Sequence, residues 1–209
     1  KSVHQLLLVD REQSVRPADL PDSILRHELR VAHGARRHYP LTTQMRVRAG
    51  SDYVDFVRRL LRGVVEVGTR PDFGEYDLQL FVDVAAMRQA ILDQNATHGL
   101  ARVTAGYAWD WVSQKNPDAY DIELDGVQLR WNSQDTDWIN SAATIHEVGS
   151  IHTVQGYDLN YAGVIIGKDL RYDITTRRIT FDRAEYHDKK GRENNPKLGI
   201  TYTDEDLLE

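Results

Sequence analysis

The sequence contains no cysteine, which excludes disulfides and thiolate zinc sites alike. It has no apolar run near the roughly 20 residues that cross a bilayer. Its N-terminus lacks the layout of a signal peptide. No Gly-x-x-x-x-Gly-Lys-Ser/Thr stretch occurs, so no loop of backbone N–H groups is laid out to cradle a phosphate chain. No apolar strand pattern ends in the Asp-Glu pair that would hold Mg²⁺ and orient water. These absences point to a cytoplasmic chain without a membrane partner and without a complete nucleotide-hydrolysing site of its own.

What remains is an ordinary globular composition. The 209 residues suffice for one α/β domain with a sizeable core. The 41% hydrophobic and 28% charged content fits a packed interior rather than disorder. Charge is uneven. Residues 1–70 carry 13 Lys/Arg against 8 Asp/Glu, and the remainder carries 13 against 24. The acidic bulk argues that any polyanion contact is local and set by a site. The basic stretch near the start reads equally as a solvated face.

The most informative stretch is Gly149-Ser-Ile-His-Thr-Val-Gln-Gly-Tyr-Asp-Leu-Asn-Tyr-Ala-Gly-Val-Ile-Ile-Gly167. A polar loop with Ser150, His152 and Gln155 reaches Gly156 and Asp158. The apolar run Ala162–Ile166 then reads as a buried strand. A polar loop between strands lies near where open α/β sheets bind ligands.

Other elements follow from periodicity. His4–Asp10 reads as a short buried strand ending in a carboxylate, followed by a polar turn with Gln13. A chain that opens inside a strand reads as cut from a longer protein. The basic segment with Arg26, His27, Arg30, His33, Arg36, Arg37 and His38 predicts a helix from Asp22 to about Ala35. No carboxylate or cysteine pattern accompanies its three histidines, so a solvated helix face is favoured over a metal site. An amphipathic helix is expected over Tyr53–Arg62, capped by Ser51 or Asp52 and stopped by Gly63.

Leu78–Val82, a helix capped by Asp83, and Leu100–Thr104 together read as a strand–helix–strand unit, which favours a parallel sheet. Tyr107, Trp109 and Trp111 follow the second strand, where aromatics either stack bases or fill a core or interface. Asp125-Gly126 marks a tight hairpin turn within 121–131, and a second hairpin is expected over Leu170–Ile174 and Arg177–Phe181. Thr144–Glu147 is expected as a strand. Residues 182–199 read as charged and mobile, and Thr203 opens a helix start.

Three stretches resemble motifs of superfamily-one helicases. Asp10-Arg-Glu-Gln13-Ser-Val resembles motif III, Leu41-Thr-Thr-Gln44-Met-Arg46 resembles motif IV, and Ser150 through Asp158 resembles motif V. They occur in the family's order with a strand–helix–strand unit between the last two. The series Arg102-x-x-Ala-Gly-Tyr-x-Trp-x-Trp111 and the run from Thr153 to Gly167 resemble the Schlafen-like, group-three DNA/RNA helicase family of bacterial P-loop proteins.

The resemblance covers essentially the whole chain. It implies a three-layer, RecA-like P-loop α/β domain with a mainly parallel sheet, helices on both faces and β-hairpin insertions. Residues 1–16 would be the last strand and motif III of a preceding RecA-like domain. Residues 17–209 would be the second RecA-like domain, cut before motif VI. The implied function is the second motor domain of an ATP-dependent helicase or translocase, inactive alone. ATP and Mg²⁺ would serve the intact parent, with none expected bound to the fragment.

In that scheme Gln13 and Arg46 act on the γ-phosphate, and Gly156 and Asp158 contact nucleotide. Ser150, His152 and Gln155 would face single-stranded DNA or RNA. The N-terminal RecA-like domain of the same protein would be the other partner. A planar guanidinium suits Arg46 to bidentate phosphate contact, although a surface arginine in a loop is the plain alternative. Two other functions keep the sequence features: a regulatory P-loop ATPase switch without unwinding, and an isolated protein-interaction domain.

Overall fold

The computed structural model describes residues 6, 8, 22–40, 47–66, 68, 70–194, 199 and 201–204. The turn with Gln13 and the segment with Gln44 and Arg46 lie outside the described residues. So does the opening strand apart from Leu6 and Leu8, both of which are exposed. The chain divides into two compact units, residues 1–43 with 188–209, and residues 44–187.

The larger unit is organised by a helix that feeds a strand. Asp83 has extended backbone, and its carboxylate accepts from the N–H groups of Ala85 (2.6 Å) and Ala86 (3.3 Å). This places an anion on the positive end of a helix dipole and satisfies two otherwise orphaned donors. In chain order the described helices begin with α1 (Asp22–Gly34) and α2 (Gly50–Leu61), so the helix capped by Asp83 is α3 (Val84–His98). It ends where Gly99 takes φ +68, and the chain turns directly into β1 (Ala101–Ala105).

β1 is the centre of a three-stranded parallel sheet in the order β4-β1-β5. β4 (Val148–Ser150) lies on one side in the register Val103↔Val148, and β5 (Tyr161–Ile165) on the other in the register Val103↔Gly163. α3 covers one face, where Val84, Met87 and Ile91 pack with Val103, Ala105, Val148 and Ile165. Gly163 permits this approach. A Cβ there would overlap the Met87 sulfur and stand 2.9 Å from Ile91 Cγ1.

The long β1-to-β4 connection carries the hairpin of β2 (Ile122–Leu124) and β3 (Val127–Leu129), which adds Ile122 and Leu129 to the core. Its turn residues Asp125 and Gly126 have φ +52 and +75, both left-handed, as a two-residue turn matched to strand twist requires. The connection then forms two short 3-10 turns, Trp138–Asn140 and Ala142–His146. β6 (Leu170–Asp173) and β7 (Arg178–Phe181) form a second hairpin after β5.

The α/β class, the parallel sheet and both hairpins agree with the sequence reading. Four local expectations do not. Residues 78–82 form no strand, and Leu80 and Val82 are 93% and 97% exposed; alternation alone supplies no ladder partner. Residues 144–147 lie in and just after a 3-10 turn, and the strand starts at Val148. Among the described residues β5 is an edge strand, with Val164 exposed on the face away from α3. α2 begins at Gly50 with no side-chain cap, so neither Ser51 nor Asp52 is its N-cap.

The sheet face opposite α3 also differs from expectation. Among the described residues it is covered beside β1 by the 3-10 turns rather than by a second long helix, because Arg102 points that way. Its guanidinium donates to Ala101 O (2.8 Å), Asn95 Oδ1 (3.0 Å), Ser141 O (3.1 Å) and Ile139 O. No described helix is long and apolar enough to cross a membrane.

The contact at Gly163 makes a stability prediction. Gly163→Val should destabilise the protein by about 1–3 kcal/mol, the usual cost of overfilling a packed core. Urea denaturation followed by far-ultraviolet circular dichroism measures it. An unchanged midpoint would mean that α3 can retreat from β5 freely.

Candidate functional site

Parallel strands release their loops at one edge, and in open α/β sheets that carboxyl edge is where ligands bind. Here β1 opens into Gly106–Trp111, β4 into α4 (Ile151–Val154) and its following loop, and β5 into Gly167–Asp169.

The loop after β4 is anchored at both ends. Ser150 is 1% exposed. Its hydroxyl caps α4 through Thr153 N (3.4 Å) and lies 3.0 Å from Thr153 Oγ1, while its backbone N–H donates to Asn132 Oδ1 (3.1 Å). Gly149 is pressed from behind. A Cβ there would lie 2.7 Å from the Trp138 ring and from Val154 Cγ1. Beyond α4, the Tyr157 hydroxyl accepts from Asp137 N at 2.9 Å. Between these anchors Gln155 and Gly156 are exposed, and Gly156 has φ +91, a conformation that suits glycine. Asp158 follows, also exposed.

His152 is half-buried and joins an aromatic group. Its ring centroid is 5.5 Å from Tyr107, which lies 5.7 Å from Trp131; Trp111 lies 5.9 Å from Trp131. Trp131 is 1% exposed, and Tyr107 and Trp111 are half-buried. Asp121 braces the group. Its carboxylate accepts from Ser113 N and Oγ, both at 2.7 Å, and from Trp131 N at 2.9 Å. The aromatic spacing after β1 was legible in the sequence. Trp131 was not, because a long connection brings it back to the sheet edge, where it bridges to Val148.

Of the residues expected at the site, Ser150, His152, Gln155, Gly156 and Asp158 thus share one loop. Ser150 lies behind it, whereas Gln155, Gly156 and Asp158 are exposed. Gln13 and Arg46 are outside the described residues.

Sequence reasoning missed Asp169. It is 6% exposed, although it follows β5 at the carboxyl edge of the sheet. A Cβ on Gly167 would stand 3.0 Å from its Oδ1, and one on Gly106 would stand 3.6 Å from its Oδ2. Its backbone carbonyl accepts from Asp182 N (2.7 Å). Nearby, His187 N donates to Tyr107 O (2.6 Å), and His187 Nδ1 is 3.0 Å from Asp110 Oδ1. Burial pushes the Asp169 carboxyl above its usual range, against the opposing pull of backbone N–H groups, Arg171 and His187. No motif marks this residue; a lone Asp after Gly-Lys gives no signal until the fold buries it.

A raised carboxyl pKa favours the native state in its protonated form. The stabilisation is therefore fully present below the ordinary value of 3.8 and is lost as pH rises through the raised one. Asp169→Asn should raise the melting temperature at pH 7 and leave it near wild type at low pH, as read by calorimetry across pH. A variant less stable than wild type at pH 7 would assign the charged carboxylate a supporting role.

The described residues hold no group of three or more His, Asp or Glu side chains suited to a metal ion. With no phosphate-cradling loop in the sequence either, they do not by themselves fit a magnesium–triphosphate.

An uncharacterized protein of Saccharomyces cerevisiae is 29% identical over 174 residues, which is 75% of this chain. The chain spans about 38% of that relative's length. No solved structure matches significantly. Residues 2–207 match the family described as Schlafen group 3, DNA/RNA helicase domain. With nearly its whole length matched, the chain belongs to that family.

Proposed function

We propose that this chain is the second, RecA-like motor domain of a superfamily-one-like helicase or translocase that hydrolyses ATP while moving on single-stranded DNA or RNA. The observation that carries the reading is the loop after β4. It leaves the carboxyl edge of a parallel sheet, is anchored behind by Ser150 and Tyr157, and presents exposed Gln155 and Gly156. His152, in tilted ring contact with Tyr107, flanks it. A rigid base with an exposed polar rim is what a strand contact needs if it is to respond to nucleotide.

In this reading Gln155 and His152 meet the strand, and Ser150 acts through the turn that it caps. Gly156 and Asp158 border the nucleotide, and Gln13 and Arg46 reach its γ-phosphate. A preceding RecA-like domain would carry the phosphate loop and the Mg²⁺-binding carboxylates. When bound, Mg²⁺–ATP supplies the phosphoryl group; this chain's part is positioning and charge stabilisation. One observation favours a protein-interaction role instead, the exposed apolar run Leu78, Leu80, Phe81 and Val82. That run lies between the motif-like stretches at 41–46 and 150–158 and is compatible with the motor reading.

The test uses the full-length protein. His152→Ala should lower stimulation of ATP turnover by single-stranded nucleic acid about tenfold, in the range expected when a base loses an aromatic partner. Basal turnover should be unchanged. A lower melting temperature with intact stimulation would make His152 a packing residue only. Absence of stimulation in the wild type would remove the motor reading.

Arg46→Lys gives an independent check. Lysine cannot reproduce the forked, planar contact. Turnover should fall by about a thousandfold or more, on the order seen for arginine fingers, while diphosphate affinity is retained. Near-normal turnover would remove Arg46 from the phosphate site.

A further inference from the structure

The smaller unit contains a helix rich in exposed basic side chains. α1 buries Leu25 and half-buries Leu29 and Ala32. Arg26, Arg30 and His33 follow one another at helical spacing along a different, exposed stripe. Residues 22–40 contain four arginines and three histidines against two carboxylates, in a chain whose net charge is −6. Among the described residues Arg30, Arg36 and Arg37 have no ion-pair or side-chain hydrogen-bond partner, whereas acidic residues are abundant elsewhere.

The end of the helix adds a second observation. Arg36 N donates to His33 O (3.0 Å) and Arg37 N to Ala32 O (2.8 Å), the paired bonds of a Schellman stop. The residue that must then be left-handed is normally glycine. Here it is Arg36, with φ +55. An L-residue held there is strained, and Arg36 and Arg37 follow directly after the helix. Basic residues at a helix C-terminus do complement the dipole. That does not account for Arg30 in mid-helix, placed four residues from Arg26, a like-charge spacing that weakens a helix. Tyr39, 76% exposed, lies just beyond.

We propose that α1 and residues 36–39 form a second nucleic-acid contact that binds the phosphodiester backbone without reading sequence. Arg30, Arg36 and Arg37 neutralise phosphates, and Tyr39 stacks on an unpaired base. Guanidinium forks fit phosphate oxygens bidentately, and an exposed aromatic among them suits a single strand more than a duplex. The inference rests on the nucleic-acid reading above but concerns different residues, in a different unit of the chain. It places the electrostatic, salt-dependent part of strand affinity in α1, and an uncharged contact together with the nucleotide response in the β4 loop.

Counterion release makes the test quantitative. On single strands each neutralised phosphate contributes about 0.7 to the slope of log affinity against log salt. Fluorescence anisotropy of this chain with labelled oligo(dT) and oligo(U), across sodium chloride concentrations, measures that slope. The combined variant R30Q/R36Q/R37Q should bind both probes more weakly, with a slope shallower by about 2. R30K/R36K/R37K should keep the wild-type slope, and His152→Ala should lower affinity while leaving the slope alone. Glutamine is a good helix former, and unchanged circular dichroism verifies the fold.

An unchanged slope in the glutamine variant overturns the α1 site and leaves the β4-loop reading standing. A shallower slope with no effect of His152→Ala supports α1 and overturns the loop's part. Wild-type affinity for phosphatidylserine vesicles equal to that for the oligonucleotides overturns the assignment to nucleic acid. A wild-type chain that binds neither probe at low salt overturns both.

Discussion

A guanidinium that is 3% exposed governs the architecture of the larger unit. Arg102 stands on the central strand, and its charge is met by carbonyl dipoles rather than by a contacting carboxylate. Burial lowers its pKa, opposed by the more distant charge of Glu147. A buried cation without such acceptors would cost several kcal/mol. The acceptors are therefore required in place, and two of them, Ile139 O and Ser141 O, belong to the 3-10 segment. That segment carries Trp138, whose indole donates to Glu147 Oε2 at 2.8 Å and whose ring backs Gly149. The chain of dependence thus runs from one strand residue to the wall behind the β4 loop.

The sequence made the local elements legible where a single physical cause sufficed. An Asp cap followed by good helix formers defines α3, and Asp125-Gly126 defines its hairpin. The motif around Ser150–Asp158 was visible because its polar residues interrupt an apolar pattern. Failures came where the deciding partner is far away. Residues 78–82 have a strand's composition and no ladder to join. Val148–Ser150 needs Trp131 and β1 beside it before three residues can count as a strand. Asp169 has no local signature at all, since its perturbation comes from the glycine-lined edge that folds over it.

The aromatic group at the carboxyl edge is graded from interior to surface. Trp131 is wholly interior, Tyr107 and Trp111 are partly covered, and His152 stands at the margin. The inner rings limit the movement of the outer ones. Asp121 supports this by satisfying the Trp131 backbone N–H from the side. The Trp131 indole nitrogen itself is buried with no acceptor among the described residues. Such an orphaned donor is a cost, and it marks the part of the stack where packing was favoured over polar satisfaction.

The strand order β4-β1-β5 sets a schedule for synthesis. The central strand, Ala101–Ala105, emerges before either neighbour, and Val103 meets Val148 and Gly163 only after the whole intervening connection has been made. Closing such long loops is slow compared with forming a helix. During that interval α3 can shield one side of the nascent strand, but both hydrogen-bonding edges stay open. Translation that stalls before Tyr161 would leave an apolar strand half-paired, a template for joining another chain. Among the described strands, the one paired on both edges in the finished protein is therefore the one left with both edges open on the ribosome.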